Sequence, residues 1–269
     1  MSLDGAAEQL RARLDAKHRA REVGLRNARQ AIRSSANAIR AAHRAELDRA
    51  DQLLAEAHEL LAVAESTLAA HPDVYYAGFL QDAQKEYAEA LATRALVAGD
   101  PVPPPEDVGV GDAPYLNGLA ETVGELRRHL LDVLRRGDLP RATTLFAAME
   151  EIHALLADLD FPEAITGNLR RSTDVARSII ERTRSDLTLT VIQRDLADAL
   201  RHRPVGPPEG SGRGGPGDSE GVPRSEGSQG GAPVGPPEGS GEPQGGAPVG
   251  PPEGSGEPQG GAPVGQGES

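Results

Sequence analysis

The chain has 269 residues, with 28 basic against 41 acidic side chains and a formal net charge of −13. It contains no cysteine, which excludes disulfide frameworks, thiolate zinc sites, Fe–S clusters and Cys nucleophiles. Tryptophan is absent and all seven aromatic residues fall between Tyr75 and Phe161, which argues against a base-stacking sheet of the RRM or OB type as the main binding surface.

Composition divides the chain before any residue-level reading. From Pro204 onward, 66 residues carry 22 of the 32 glycines and 14 of the 22 prolines, with five valines as the larger apolar side chains. So little burial does not offset the entropy of ordering that stretch. The expected organisation is a helical domain over residues 1–203 and a disordered, acidic, low-complexity tail over 204–269, in which a repeat of period 15 occupies 230–244 and 245–259. Without the tail the body is only mildly acidic, so contact with nucleic acid has to come from local basic patches. The chain opens Met1-Ser2-Leu3-Asp4 and turns charged at once, and no apolar run approaches the roughly 20 residues that cross a bilayer. A soluble, cytoplasmic protein without membrane contact is expected.

From Leu3 to Ala70 there is no proline and the field is Ala, Leu, Arg and Glu, which predicts helix throughout, with breaks near Gly24 and around Arg44 to Glu46. His71-Pro72-Asp73 ends this block, and Val74 to Val97 is again helical in pattern. A Gly/Pro-rich loop follows, and a helix beginning at Pro114 or Tyr115 runs to about Arg136, stopped by Gly137. A shorter helix over 139–158 and a long one from Glu163 to about Leu200 complete the body. Leu187 to Ile192 has a strand-like composition, but nothing in the chain could pair with it. The fold class is therefore all-α, an antiparallel bundle of six to seven helices.

Four carboxylates stand out by spacing. Glu86 and Glu89 are three apart and Glu121 and Glu125 four apart, so each pair projects from one face of its helix. Two such helices side by side would converge oxygen ligands suited to Mg²⁺ or Mn²⁺, ions that keep open positions for water and phosphate oxygens. Gly118 and Gly124 lie inside the same strong helix as Glu121, where each costs roughly 1 kcal/mol against alanine, so close approach of another element is expected there.

The segment Tyr115-Leu116-Asn117-Gly118-Leu119-Ala120-Glu121-Thr122-Val123-Gly124-Glu125-Leu126-Arg127-Arg128 resembles the signature of the translin family, approximately YLLGLADxxGELxR. Gln84 to Ala90 is similar to the QEYVEA segment of that family's catalytic branch. Arg33 to Arg44, Asn168 to Arg177 and Glu181 to Thr188 resemble further family helices, and the likeness covers about residues 20–200. The resemblance implies an all-helical protein that assembles into a barrel-like octamer and binds single-stranded RNA, or single-stranded DNA, inside it. It also implies a Mg²⁺-dependent endoribonuclease in which Glu86, Glu89, Glu121 and Glu125 are catalytic and metal-binding, Glu121 standing where the family usually has Asp. A non-catalytic, single-strand-binding oligomer is the alternative.

Positive charge for phosphates has to come from arginines. Arg170, Arg177 and Arg184 recur every seven residues along one helical stripe, and Arg33, Arg40 and Arg44 form a second cluster, with Arg171 and Arg182 near the first. His43, His129 and His153 read as packed or surface histidines. Glu150 and His153 form one Glu-x-x-His, and a di-iron carboxylate bundle needs two.

Overall fold

The computed structural model describes residues 3–202; the repeat-bearing tail expected from residue 204 lies outside them. Among the described residues there are nine helices and no strand. Six are long: α1 (Leu3–His43), α2 (Leu47–Leu68), α4 (Phe79–Ala98), α6 (Asp112–Arg135), α7 (Leu139–Asp158) and α9 (Leu169–Arg201). Three single turns connect them: α3 (Pro72–Tyr75), α5 (Pro105–Val108) and α8 (Glu163–Thr166). The strand-like stretch from Leu187 to Ile192 is helical, inside α9.

Of the two breaks expected in the first 70 residues, one occurs. The chain turns at Arg44–Glu46, with Ala45 at φ 60°. Gly24 instead lies inside α1, buried, and a Cβ there would stand 2.7 Å from Leu68 Cδ1 of α2. The glycine admits a neighbouring helix rather than ending its own. Beyond it, the buried side of α1 is mostly small: Ala28, Ala31, Ser34, Ser35, Ala38, Ala41 and Ala42. Such a face lets α2 and α4 pack close along about 25 Å of helix, while polar residues occupy the other side.

Helices α4 and α6 form the centre. Helix α4 packs on α1, α2 and α6, and α6 packs on α4, α7 and α9. Leu80, Val123, Leu126, Leu130, Leu145, Met149 and Leu156 supply the largest fully buried side chains of this core. Arg141 ties α7 to the end of α4, donating to the carbonyls of Leu96 and Val97 at 2.7 and 2.9 Å. Those carbonyls lie in the last turn of α4, where helical partners run out.

Candidate metal centre

The site is built at the contact of α4 and α6, and glycine makes that contact possible. A Cβ on Gly118 would sit 2.7 Å from the carbonyl oxygen of Lys85, 2.9 Å from Ala88 Cβ and 3.0 Å from the amide nitrogen of Glu89. The two backbones touch there. Thr122, one turn on, is fully buried against α4 and donates to the Gly118 carbonyl at 2.9 Å. Gly124 is different, since a Cβ would meet only Ile179 Cδ1, at 3.9 Å. Close approach is required at the first glycine and not at the second.

Glu121, three residues beyond Gly118, is thereby brought beside the acids of α4. One carboxylate oxygen from each of Glu86, Glu89 and Glu121 lies within 4.8 Å of the others. Glu89 is 8 % exposed, and Glu86 and Glu121 are half-buried. Burial, then the charges of Glu121, Glu86 and Glu125, push the Glu89 carboxyl up to about 8. Three carboxylates so close repel one another unless a cation intervenes.

Lys85 supplies one from within the chain. Its Nζ donates to both carboxylate oxygens of Glu121, at 2.6 and 2.7 Å, and lies 3.4 Å from Glu86. Burial works to lower the pKa of this ammonium, but the hydrogen bond and charge of Glu121, with Glu86, overcome that and leave it raised. Glu121 stands where the family signature has the shorter Asp, and the added methylene gives its carboxylate the reach for this two-oxygen grip. The donor set fits a hard divalent ion, being oxygen only, with three carboxylates from two helices, while the Lys85 ammonium occupies some of the same oxygens. If Lys85 competes for the same oxygens, Lys85→Gln should bind Mn²⁺ about tenfold more tightly than wild type at pH 8.5. Titration followed by electron paramagnetic resonance measures this, and an unchanged or weaker affinity would show that the ammonium is no competitor.

Glu125, the fourth acid expected, is not part of the three-carboxylate group. Its Oε2 lies 2.5 Å from His43 Nε2, and that hydrogen bond, with the charges of His43, Arg128 and Arg40, holds the carboxyl below its usual range against the effect of burial. His43 stacks on His129 with ring centroids 5.7 Å apart. Burial and the positive surroundings of His43, Arg136 and Arg141 push His129 down to about 4. Read as packed or surface histidines from the sequence, both are packed, and His43 additionally fixes Glu125.

Above the acids opens a cavity of about 420 Å³ lined by Glu89, Ala120, Glu121, Asn168, Arg171, Ser172, Val175 and Ile179. Its α9 wall is anchored through Asn117, which donates to the Thr166 carbonyl at 2.8 Å and accepts from Ser172 Oγ at 2.8 Å. Asn168 enters α9 with φ 67°, a left-handed conformation that asparagine tolerates better than most residues. Arg171, noted in the sequence only as a neighbour of the α9 stripe, is the arginine that shares this cavity with the carboxylates. It makes no ion pair among the described residues.

The other arginines are dispersed. Arg170 and Arg177 line a separate cavity of about 790 Å³ along with His153, Asp160, Glu163 and Asp174. Arg184 is engaged by Glu150 at 2.6 Å and lies 5.7 Å over the Phe146 ring. On α1, Arg44 grips Glu46 at 2.8 and 2.7 Å, Arg40 donates to Asn37 at 2.7 Å, and Arg33 is exposed. Lys85 went unremarked and Arg171 stood only as a neighbour of the stripe because neither has a spacing signal; both acquire meaning only when α4, α6 and α9 meet.

An all-α bundle with paired acids on two central helices defines the class of protein, and comparison with known proteins places it. No protein-family model matches the chain. It is 34 % identical to AfC3PO in the structure of the AfC3PO–duplex RNA complex, with a TM-score of 0.66, covering 70 % of this chain and 98 % of that one. The crystal structure of AfC3PO matches at 33 % identity and a TM-score of 0.64, with the same coverage of 70 % and 98 %. Apo-NeC3PO, at 22 % identity and a TM-score of 0.59 over 70 % of this chain and 97 % of that one, shares the fold. An uncharacterized protein of Methanocaldococcus jannaschii is 29 % identical over 192 residues, which is 71 % of this chain and 85 % of that protein. The chain belongs to the translin family.

Proposed function

We propose that this protein is an RNA-binding, metal-dependent endoribonuclease that hydrolyses phosphodiesters of single-stranded RNA in the pocket between α4, α6 and α9. The convergence of Glu86, Glu89 and Glu121 within 4.8 Å carries the reading. The relation to AfC3PO, solved with duplex RNA at 34 % identity, supports RNA as the ligand class.

Glu86, Glu89 and Glu121 would hold Mg²⁺ or Mn²⁺, which when bound supplies a Lewis acid for a phosphoryl oxygen and lowers the pKa of water. Glu125 would act from beside the group, its negative charge maintained by His43. The cavity of about 420 Å³ has the size of a small-molecule site and admits a nucleotide-sized group. Arg171, across from the carboxylates, would bind a non-bridging phosphate oxygen and hold the scissile group against them. Lys85 would move from Glu121 to the phosphate as the acids take up the ion, keeping one positive charge near the leaving group.

The non-catalytic reading, an oligomer that only holds nucleic acid, draws on Lys85, because an ammonium bound to Glu121 and Glu86 already neutralises much of the acidic charge. An assay separates the two. With Mn²⁺ or Mg²⁺ the protein is expected to cleave a labelled single-stranded RNA internally and to stop when EDTA is added; retention of that RNA without any cleavage would leave the binding function alone. No described helix is long and apolar enough to cross a membrane. Leu189, Ile192, Leu196 and Leu200 form an exposed apolar row on α9. Such a row supports self-association, the barrel-like octamer of this reading, which light scattering of the same preparation measures.

A further inference from the structure

The acids of this chain outnumber its bases, 41 to 28, yet residues 23–45 contain five arginines and no carboxylate. At 100° per residue, Arg26, Arg29, Arg33, Arg40 and Arg44 fall within about 60° of arc on α1. All five are exposed. The opposite side of the same helix is the small-residue face buried against α2 and α4, so the row stands on a rigid support. Arg26, Arg29 and Arg33 make no ion pair among the described residues and border a shallow cavity of about 300 Å³ with Leu25 and Glu22. Glu22, the carboxylate nearest in sequence, is bonded to Arg21 at 2.8 Å. Between the arginines stand Asn27, Gln30 and Asn37, which add uncharged donors.

We propose that this row, from Arg26 to Arg40, is the track on which the phosphate backbone of an RNA strand lies as it approaches the carboxylate pocket. The assignment rests on the RNA-binding reading above and locates its electrostatic surface. Arg26 and Arg40 are separated by about 21 Å along the helix axis, the span of about six stacked nucleotides at 3.4 Å each. The direction of approach follows from the end of α1, where His43, three residues beyond Arg40, bonds Glu125 at 2.5 Å. The α9 arginines do not offer such a track: Arg184 is held by Glu150, and Arg170 and Arg177 share their cavity with Asp160, Glu163 and Asp174. Phosphates would meet carboxylates there. On α1 the one carboxylate lining the cavity, Glu22, is already bonded to Arg21, and Glu56 of α2 reaches only Gln30, so the arginines, each able to give two parallel hydrogen bonds, outnumber the acids.

The test is the full chain carrying Arg26→Gln, Arg29→Gln and Arg33→Gln together, with circular dichroism and thermal melting to establish that it folds as wild type does. Affinity for a 12-nucleotide single-stranded RNA and for its duplex is measured without metal from 50 to 300 mM salt. Each lost phosphate contact lowers the slope of log K against log salt by about 0.7 for a single strand and 0.9 for a duplex. The triple variant is expected to lose about 2 from the single-strand slope and at least tenfold in affinity at 50 mM salt. Tighter binding of the duplex than of the single strand by wild type, with that excess lost in the triple variant, would make paired RNA the favoured ligand of the same track. Unchanged affinity and slope on both would overturn the proposal and leave the row to an acidic protein surface. Failure of the metal reading is separate: wild type that retains RNA with this salt dependence but does not bind Mn²⁺ loses the nuclease and keeps the track.

Discussion

Replacing Glu89 by glutamine is expected to abolish Mn²⁺ binding and to reduce RNA cleavage by a thousandfold or more, while making the metal-free protein more stable at alkaline pH. Glu89 is the most buried of the three acids, and that burial, with the charges of Glu121, Glu86 and Glu125, raises its pKa to about 8. Its folded-state value therefore lies above the unfolded value of about 4.5, and the folded protein holds the proton more tightly than the unfolded chain does. Stability from this group is fully present below pH 4.5 and is lost as pH rises through 8. Above that, wild type without metal carries a buried carboxylate among other carboxylates, a cost of several kcal/mol. Glutamine keeps the shape and removes the charge. The variant should melt roughly 5–10 °C above wild type at pH 9 and nearly with it at pH 5, both in EDTA. Added Mn²⁺ should raise the melting temperature of wild type and leave the variant unmoved. Equal melting curves at pH 9 would show that Glu89 carries no such strain, and a Mn²⁺-induced shift in the variant would remove it from the ion's ligands.

The second large effect is expected from the smallest side chain. Gly118→Ala places a methyl 2.7 Å from the Lys85 carbonyl oxygen and 3.0 Å from the Glu89 amide nitrogen. Both are backbone atoms of α4, so relief requires the helices to separate rather than a rotamer to change. Helix propensity favours alanine by about 1 kcal/mol, whereas overpacking a filled contact costs about 1–3 kcal/mol and a backbone clash falls at the upper end. The clash wins. The variant should melt about 3–8 °C below wild type, and moving Glu121 off Glu86 and Glu89 should weaken Mn²⁺ binding at least tenfold. Gly124→Ala is the control on the same helix. Its methyl meets only Ile179 at 3.9 Å, so propensity alone acts, and the variant should be as stable as wild type or more so, with its metal affinity kept. Matching behaviour of the two variants would refute the account of Gly118.

How much of this was legible in the sequence depended on how local each signal was. The helices were readable because their cause is local: long proline-free stretches rich in Ala, Leu, Arg and Glu, with apolar residues at helical spacing. Gly24 misled because glycine weakens an isolated helix, whereas here Leu68 of α2 occupies the space a side chain would need. The paired acids were legible as pairs, since positions three or four apart share a helix face, but Glu125 and Glu121 part company in the fold. One turn separates them, and in that turn the neighbour changes from Lys85 of α4 to His43 of α1. The arginines show the same limit. Seven-residue spacing correctly aligned Arg170, Arg177 and Arg184 on α9 and said nothing about the carboxylates that accompany them.

By itself, the sequence determined an all-α body, the absence of thiol chemistry, the spacing of the acids, and an acid-free run of arginines on the first long helix. These follow from periodicity and composition, which act over a few residues and survive in any packing. Tertiary structure alone decided that Glu86, Glu89 and Glu121 share one centre, that Lys85 stands among them, that Arg171 shares a cavity with Glu89 and Glu121, and that Glu125 belongs with His43. The last of those relations joins residues 82 positions apart. They exist because the backbones of α4 and α6 touch at one glycine, an arrangement set by packing across the whole core.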